Sequence, residues 1–119
     1  MKFLFLITSL VFANQVFAKE KKTIDREDIR QVIKKNISSI KTCYSDRLKT
    51  KPDIEGSVVV EWDISADGSV SKADIKTSSL KDEIVENCVI DKIKSLKYPV
   101  PPHGTIPTIS YPFTFSKNN

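Results

Sequence analysis

Four side chains with oxygen ligands crowd one stretch of this chain: Asp63, Ser65, Asp67 and Asp74, with Gly68 among them. Counted from Asp63 they occupy the first, third, fifth and twelfth places, with glycine sixth. That is the spacing at which an EF-hand loop surrounds calcium. The neighbouring residues oppose this chemistry. An EF-hand loop joins two helices, whereas Val58, Val60, Trp62 and Ile64 alternate as in a strand. Asp74 is also shorter than the bidentate Glu such loops use. Asp-Gly between two alternating runs is the strongest short-range hairpin signal, and a hairpin turn accounts for the same residues. Calcium stays as the alternative.

Other reactive groups are few. His103 is the single histidine and sits in a Pro-Pro-His-Gly loop, so a zinc site would need free thiols. No His or Lys is placed beside a serine by a nucleophile motif. The carboxylate pairs Asp82-Glu83 and Asp63/Asp67 read as helix and turn chemistry. The expectation is a chain that is not an enzyme and takes no cofactor.

The two cysteines, Cys43 and Cys88, take their meaning from the N-terminus. Lys2, an apolar run from Phe3 to Phe12 and the small-residue site Val16-Phe17-Ala18 read as a secretory signal peptide over 1–18, cleaved after Ala18. The apolar run is too short to span a membrane, which leaves no transmembrane anchor after cleavage; an uncleaved anchor is the alternative. No cysteine near the cleavage site offers a lipid attachment point. In an oxidising compartment two cysteines in a small domain imply a disulfide, and only one pairing exists. There is no Cys-x-x-Cys motif, so redox catalysis is not indicated.

The formal net charge is +4. Export excludes nucleic acid as a partner. Lys19, Lys21 and Lys22, with the lysines of the first helix, could meet anionic envelope polymer or lipid headgroups; the plainer reading is a solvated helix face.

The elements that must position these groups follow from periodicity. A charged leader covers 19–23, and one domain covers 24–119. Asp25 is a helix N-cap, with Ile24 before it able to staple onto Ile29. Ile29, Val32, Ile33, Ile37, Ile40, Cys43, Tyr44 and Leu48 form a helical stripe, ended by Pro52. A strand over Ser57 to Ile64, apolar on both faces, suits the centre of a sheet. A second strand over Ser69 to Thr77 has Val70 out of phase with Ala73, Ile75 and Thr77, which a bulge near Ser71-Lys72 would reconcile. A second helix, with Ser79 as N-cap, is expected to bury Ile84, Val85, Cys88, Val89, Ile93 and Leu96. Tyr98 to Gly104 is proline-rich and extended. The last strand alternates Ile109, Tyr111, Phe113 and Phe115 with Thr108, Ser110, Pro112 and Thr114.

The predicted fold is α+β: two-layer α-β-β-α-β, a three-stranded antiparallel sheet with two helices packed on one face and one disulfide between the helices. Strand one is central. Strand three lies on an edge, where Pro112 is tolerated.

This arrangement resembles the TonB C-terminal domain superfamily. The residues that carry the likeness are Gly56-Ser-Val-Val-Val, the Asp67-Gly68-Ser-Val turn, Thr77-Ser-Ser and Tyr98-Pro-Val-Pro. It looks most like the AgmX/PglI C-terminal branch, through Cys43-Tyr44, Cys88 and the closing Tyr111-Pro-Phe-Thr-Phe. The resemblance implies a periplasmic, non-enzymatic adaptor. Its partner would be an extended segment of an outer-membrane or periplasmic envelope protein, or a second copy in a homodimer. In TonB transducers the last strand's edge accepts such a segment. The missing Pro/Lys spacer argues against energy transduction by this polypeptide. If Pro112 faces away from strand one, then Ser110, Pro112 and Thr114 line the outer edge with one donor missing. Pairing is then expected at Thr108-Ser110 and at Thr114.

Overall fold

The structure, a computed structural model, describes residues 24–118. The expected signal peptide over 1–18, Lys19, Lys21, Lys22 and Asn119 lie outside the described residues.

Helix α1 (Arg26–Leu48) starts where the cap chemistry places it. The Asp25 carboxylate accepts from the Asp28 N–H at 2.9 Å, and the Asp28 carboxylate accepts from the Asp25 N–H at 3.1 Å. These two bonds satisfy donors that the helix itself leaves free. Ile33, Ile40, Cys43 and Tyr44 are buried along one face, flanked by half-buried Ile29, Val32, Ile37 and Leu48. Strands β1 (Gly56–Ile64) and β2 (Val70–Ser78), helix α2 (Glu83–Lys94) and strand β3 (Thr108–Phe115) complete the order α-β-β-α-β. The sheet order is β2-β1-β3, with both pairs antiparallel. Val58, Val60, Trp62 and Ile64 of β1 and Ile109, Phe113 and Phe115 of β3 share one buried core with the helices. The fold is the expected one, with β1 central.

The hairpin turn is built from Ser65 to Ser69. Gly68 N–H donates to the Ser65 carbonyl and Ser65 N–H to the Ser69 carbonyl. Asp67 Oδ1 accepts from both the N–H and the hydroxyl of Ser69, which holds its carboxyl below the usual range. Gly68 has φ +88°, a region other residues avoid. A Cβ there would also collide with the Tyr98 carbonyl oxygen, because Tyr98 N–H donates to the Gly68 carbonyl at 2.8 Å. The stretch after α2 is thereby pinned across the hairpin tip.

Strand β2 carries two irregularities. One leaves Ser71 without a partner opposite Asp63/Ile64, as the hydrophobic phase requires. The other, at Lys76 opposite Val59/Val60, has no signature in the apolar pattern. It turns Thr77 to the exposed face and Ser78 inward, so Thr77 does not continue the phase of Ala73 and Ile75.

The start of α2 differs from expectation. Its N-cap is Asp82, not Ser79. Ser79 is committed elsewhere, its hydroxyl accepting from the Ser57 N–H at 2.9 Å. Lys81 then takes a left-handed conformation, φ 53°, which interrupts any helix begun earlier. The shift leaves Ile84 57% exposed instead of buried.

Cys43 and Cys88 are joined in a disulfide between the helices, with Cα atoms 5.7 Å apart. Asp82 makes a second tie. Only 3% exposed, it accepts from the Val85 N–H, and both carboxylate oxygens meet Arg47 Nε at 3.1 and 3.2 Å. Burial is the largest single influence on its ionisation and opposes it. The Val85 N–H, Arg47 and Lys51 together outweigh burial and hold its pKa below the ordinary value.

Two outcomes follow. Replacing both cysteines by alanine should lower stability by about 4 kcal/mol in urea melts, the chain-entropy value for a loop of this length; unchanged stability would show that the bond is dispensable. A lowered folded-state pKa means that Asp82 contributes fully above 3.8 and that this contribution is lost as pH falls through the folded value. Asp82→Asn should therefore cost about 2 kcal/mol at neutral pH, and the gap to the parent should close in acid. A gap independent of pH would contradict the assignment.

Candidate functional site

A three-stranded sheet has two edges, and this one treats them differently. The β2 edge is broken by the irregularities at Ser71 and Lys76 and carries exposed Lys72 and Lys76. Bulges and lysines are common devices against edge-to-edge pairing. The β3 edge is regular over its full register, from Gly56↔Phe115 to Asp63↔Thr108.

The direction of the β3 backbone follows from one bond. Ile64 N–H donates to the Pro107 carbonyl at 2.9 Å, so Ile64 faces β3. Alternation along β1 then turns Val58, Val60 and Trp62 toward β3 and Val59, Glu61 and Asp63 toward β2. Ser57, whose carbonyl accepts from the Ser79 N–H, agrees. Pro112 lies opposite Val59, in a pair that exchanges no hydrogen bonds with β1. Thr108, Ser110, Pro112 and Thr114 therefore present their backbones outward, and all four are exposed. Proline at an inward position would have cost a ladder bond. At the outward position it removes one donor from the free edge. Thr108 is further fixed by its hydroxyl, which donates to Asp63 at 2.7 Å.

Beside this edge runs a channel between α1 and β3. Near the start of β3 it is bounded by Arg26, Ile29 and Arg30 opposite Thr108 to Tyr111. It continues past Ile33, Lys34 and Ile37 against Tyr111. Beyond it, at the end of β3, a separate pocket of about 380 Å³ lies between Lys41, Tyr44, Leu48 and Thr114 to Lys117. The Tyr44 and Phe115 rings stack there at 5.2 Å, and the Tyr44 hydroxyl donates to the Ile54 carbonyl at 2.6 Å. Burial, with the Glu55 carboxylate adding to it, raises the Tyr44 pKa. The tyrosine stays neutral and serves as a wall. No sequence signal marked this channel, because its two sides are separated by most of the domain.

The calcium set is not brought together as a loop between helices. Asp63 lies in β1, Asp74 lies in β2 opposite Glu61, and Ser65 and Asp67 form the turn. Among the described residues no cluster of three or more His, Cys, Asp or Glu side chains could hold a metal. His103 is exposed in its loop. Tyr98 and Trp62 are buried, and neither the phenol nor the indole N–H makes a hydrogen bond of good geometry. Burial pushes the Tyr98 pKa to about 12, which the nearby Trp62 N–H slightly offsets. This pair belongs to the core beneath the hairpin.

The profile of the Gram-negative bacterial TonB protein C-terminal family matches residues 44–116. The chain belongs to that family. Its domains are non-catalytic, periplasmic and generally protein-interaction modules, typically for outer-membrane proteins. Among solved structures, the TonB C-terminal domain of Pseudomonas aeruginosa is 18% identical, with 61% of this chain and 76% of that chain covered and a TM-score of 0.48. Two structures of the Helicobacter pylori TonB C-terminal domain are also similar. One is 26% identical over 67% of this chain and 91% of that one, TM-score 0.47. The other is 22% identical over 83% and 96%, TM-score 0.48. No curated protein matches the chain. No described helix is long and apolar enough to cross a membrane.

Proposed function

We propose that this protein is an exported periplasmic adaptor that binds an extended segment of an envelope protein along the outer edge of β3. The signal peptide over 1–18, cleaved after Ala18, delivers it. The observation that carries the reading is the asymmetry of the two edges. β2 is interrupted twice, while β3 offers regular outward backbone groups at Thr108, Ser110 and Thr114. A partner strand gains main-chain hydrogen bonds there, and the gap at Pro112 divides the contact into two short registers. Membership of an interaction family supports the same reading.

Within the family we place the chain in the AgmX/PglI branch, on Cys43-Tyr44, Cys88 and the Tyr111-Pro-Phe-Thr-Phe ending. The disulfide and the Tyr44–Phe115 stack give those residues a common role in closing α1 onto the last strand and α2.

In-cell photocrosslinking tests the edge. A photoreactive residue at Thr114 should yield a discrete adduct, whereas one at Val59, on the sheet face away from the helices, should not. An adduct of twice the monomer mass would identify a second copy as the occupant. Absence of an adduct at Thr114, or equal adducts at both positions, would contradict binding at the edge.

A further inference from the structure

The channel beside β3 has a charge pattern that its fold does not require. Arg26, Arg30 and Lys34 of α1 line it, Lys41 and Lys117 line the pocket beyond it, and no carboxylate lines either. Among the described residues, Arg26, Lys34 and Lys41 make no ion pair; Arg30 meets only exposed Glu27, and Lys117 only exposed Asp53. Arg26 opens α1, where the helix dipole opposes positive charge. Arg30 gains an exposed pair with Glu27, but Arg26 and Lys34 have no such pair to account for them. Capping has already been supplied by Asp25 and Asp28.

Spacing gives the pattern a complement. Arg26, Arg30 and Lys34 recur every fourth residue, a rise of about 6 Å along α1. Alternate residues of an extended strand are about 6.6 Å apart. A strand added outside β3 would turn every second side chain toward the helices, into this channel. The cations would meet these side chains one for one. In the pocket near Thr114 and Phe115, Lys41 and Lys117 share the lining with Tyr44, Leu48 and Phe115, walls suited to an apolar side chain.

Building on the edge reading above, we infer that the segment held at β3 is an acidic peptide. Its carboxylates occupy alternate positions facing Arg26, Arg30 and Lys34, and an apolar residue fills the Tyr44–Leu48–Phe115 end. Exposed pairs of this kind contribute modestly each, so their main effect is selection among segments that the backbone edge would otherwise accept equally. They also speed encounter at low salt.

Fluorescence anisotropy with the mature, oxidised protein separates this inference from the edge reading. Three labelled nine-residue peptides are compared. The first carries glutamate at three alternate positions, threonine between them and a valine toward one end. The second replaces glutamate by glutamine. The third is the glutamate peptide with every internal backbone amide N-methylated, which removes the donors that face β3 in either strand direction. The glutamate peptide should bind about tenfold more tightly than the glutamine peptide, with the ratio shrinking as salt rises. Arg26→Glu with Lys34→Glu should abolish or invert the ratio. Equal binding of the first two peptides would overturn the acidic partner and leave the edge reading standing. Undiminished binding of the N-methylated peptide would overturn the edge reading. Failure of all three to bind would overturn both. Charge reversal that weakens binding to phosphatidylglycerol vesicles without altering peptide preference would assign the cations to a lipid surface instead.

Discussion

Val58, Val60, Trp62 and Ile64, on one face of β1, are each at most 1% exposed, and the other elements take their places from them. A strand buried this completely on one face and bonded along both sides cannot slip by one residue, since a slip would turn all four outward. Its register with β3 is accordingly unbroken, and the irregularities are confined to β2. The same alternation decides which β3 residues turn their backbones inward. Pro112 could be accommodated only at an outward position. The character of the free edge is thus a consequence of how the central strand is buried.

The helices are held over that face by two long-range ties of different chemistry. The Cys43–Cys88 bond joins the later part of α1 to the middle of α2. The Arg47–Asp82 pair joins the end of α1 to the first turn of α2, and Asp82 also caps the helix it starts. A small domain has limited apolar area to bury, so cross-links of this kind fix the angle of α1 more firmly than packing alone. That angle matters outside the core. It keeps the Arg26–Arg30–Lys34 face alongside the start and middle of β3.

Local chemistry made much of this fold legible in the sequence. The Asp67-Gly68 turn, the alternation of β1 and β3, the Asp25 cap and the bulge near Ser71 each have a signal within a few residues. The cysteines were legible because each falls on an apolar helical stripe. What the sequence did not reveal depends on contacts between distant residues. Ser79 has the right chemistry for an N-cap, but the Ser57 N–H, across the sheet, claims it. The bulge at Lys76 disturbs no apolar phase. The cations of α1 read as a solvated face, because nothing local says that β3 lies beside them. Thr108, Ser110 and Thr114 were identifiable as edge residues only through the proline between them.

Binding at β3 requires an outer edge that is free in the isolated protein and regular enough to pair. Residue-resolved amide hydrogen exchange reads this out. Exchange should alternate along β3: slow at Ile109, Tyr111 and Phe113, whose N–H groups face β1, and fast at Ser110 and Thr114. Uniform protection of all five would mean that the edge is already covered and would rule out a free pairing edge.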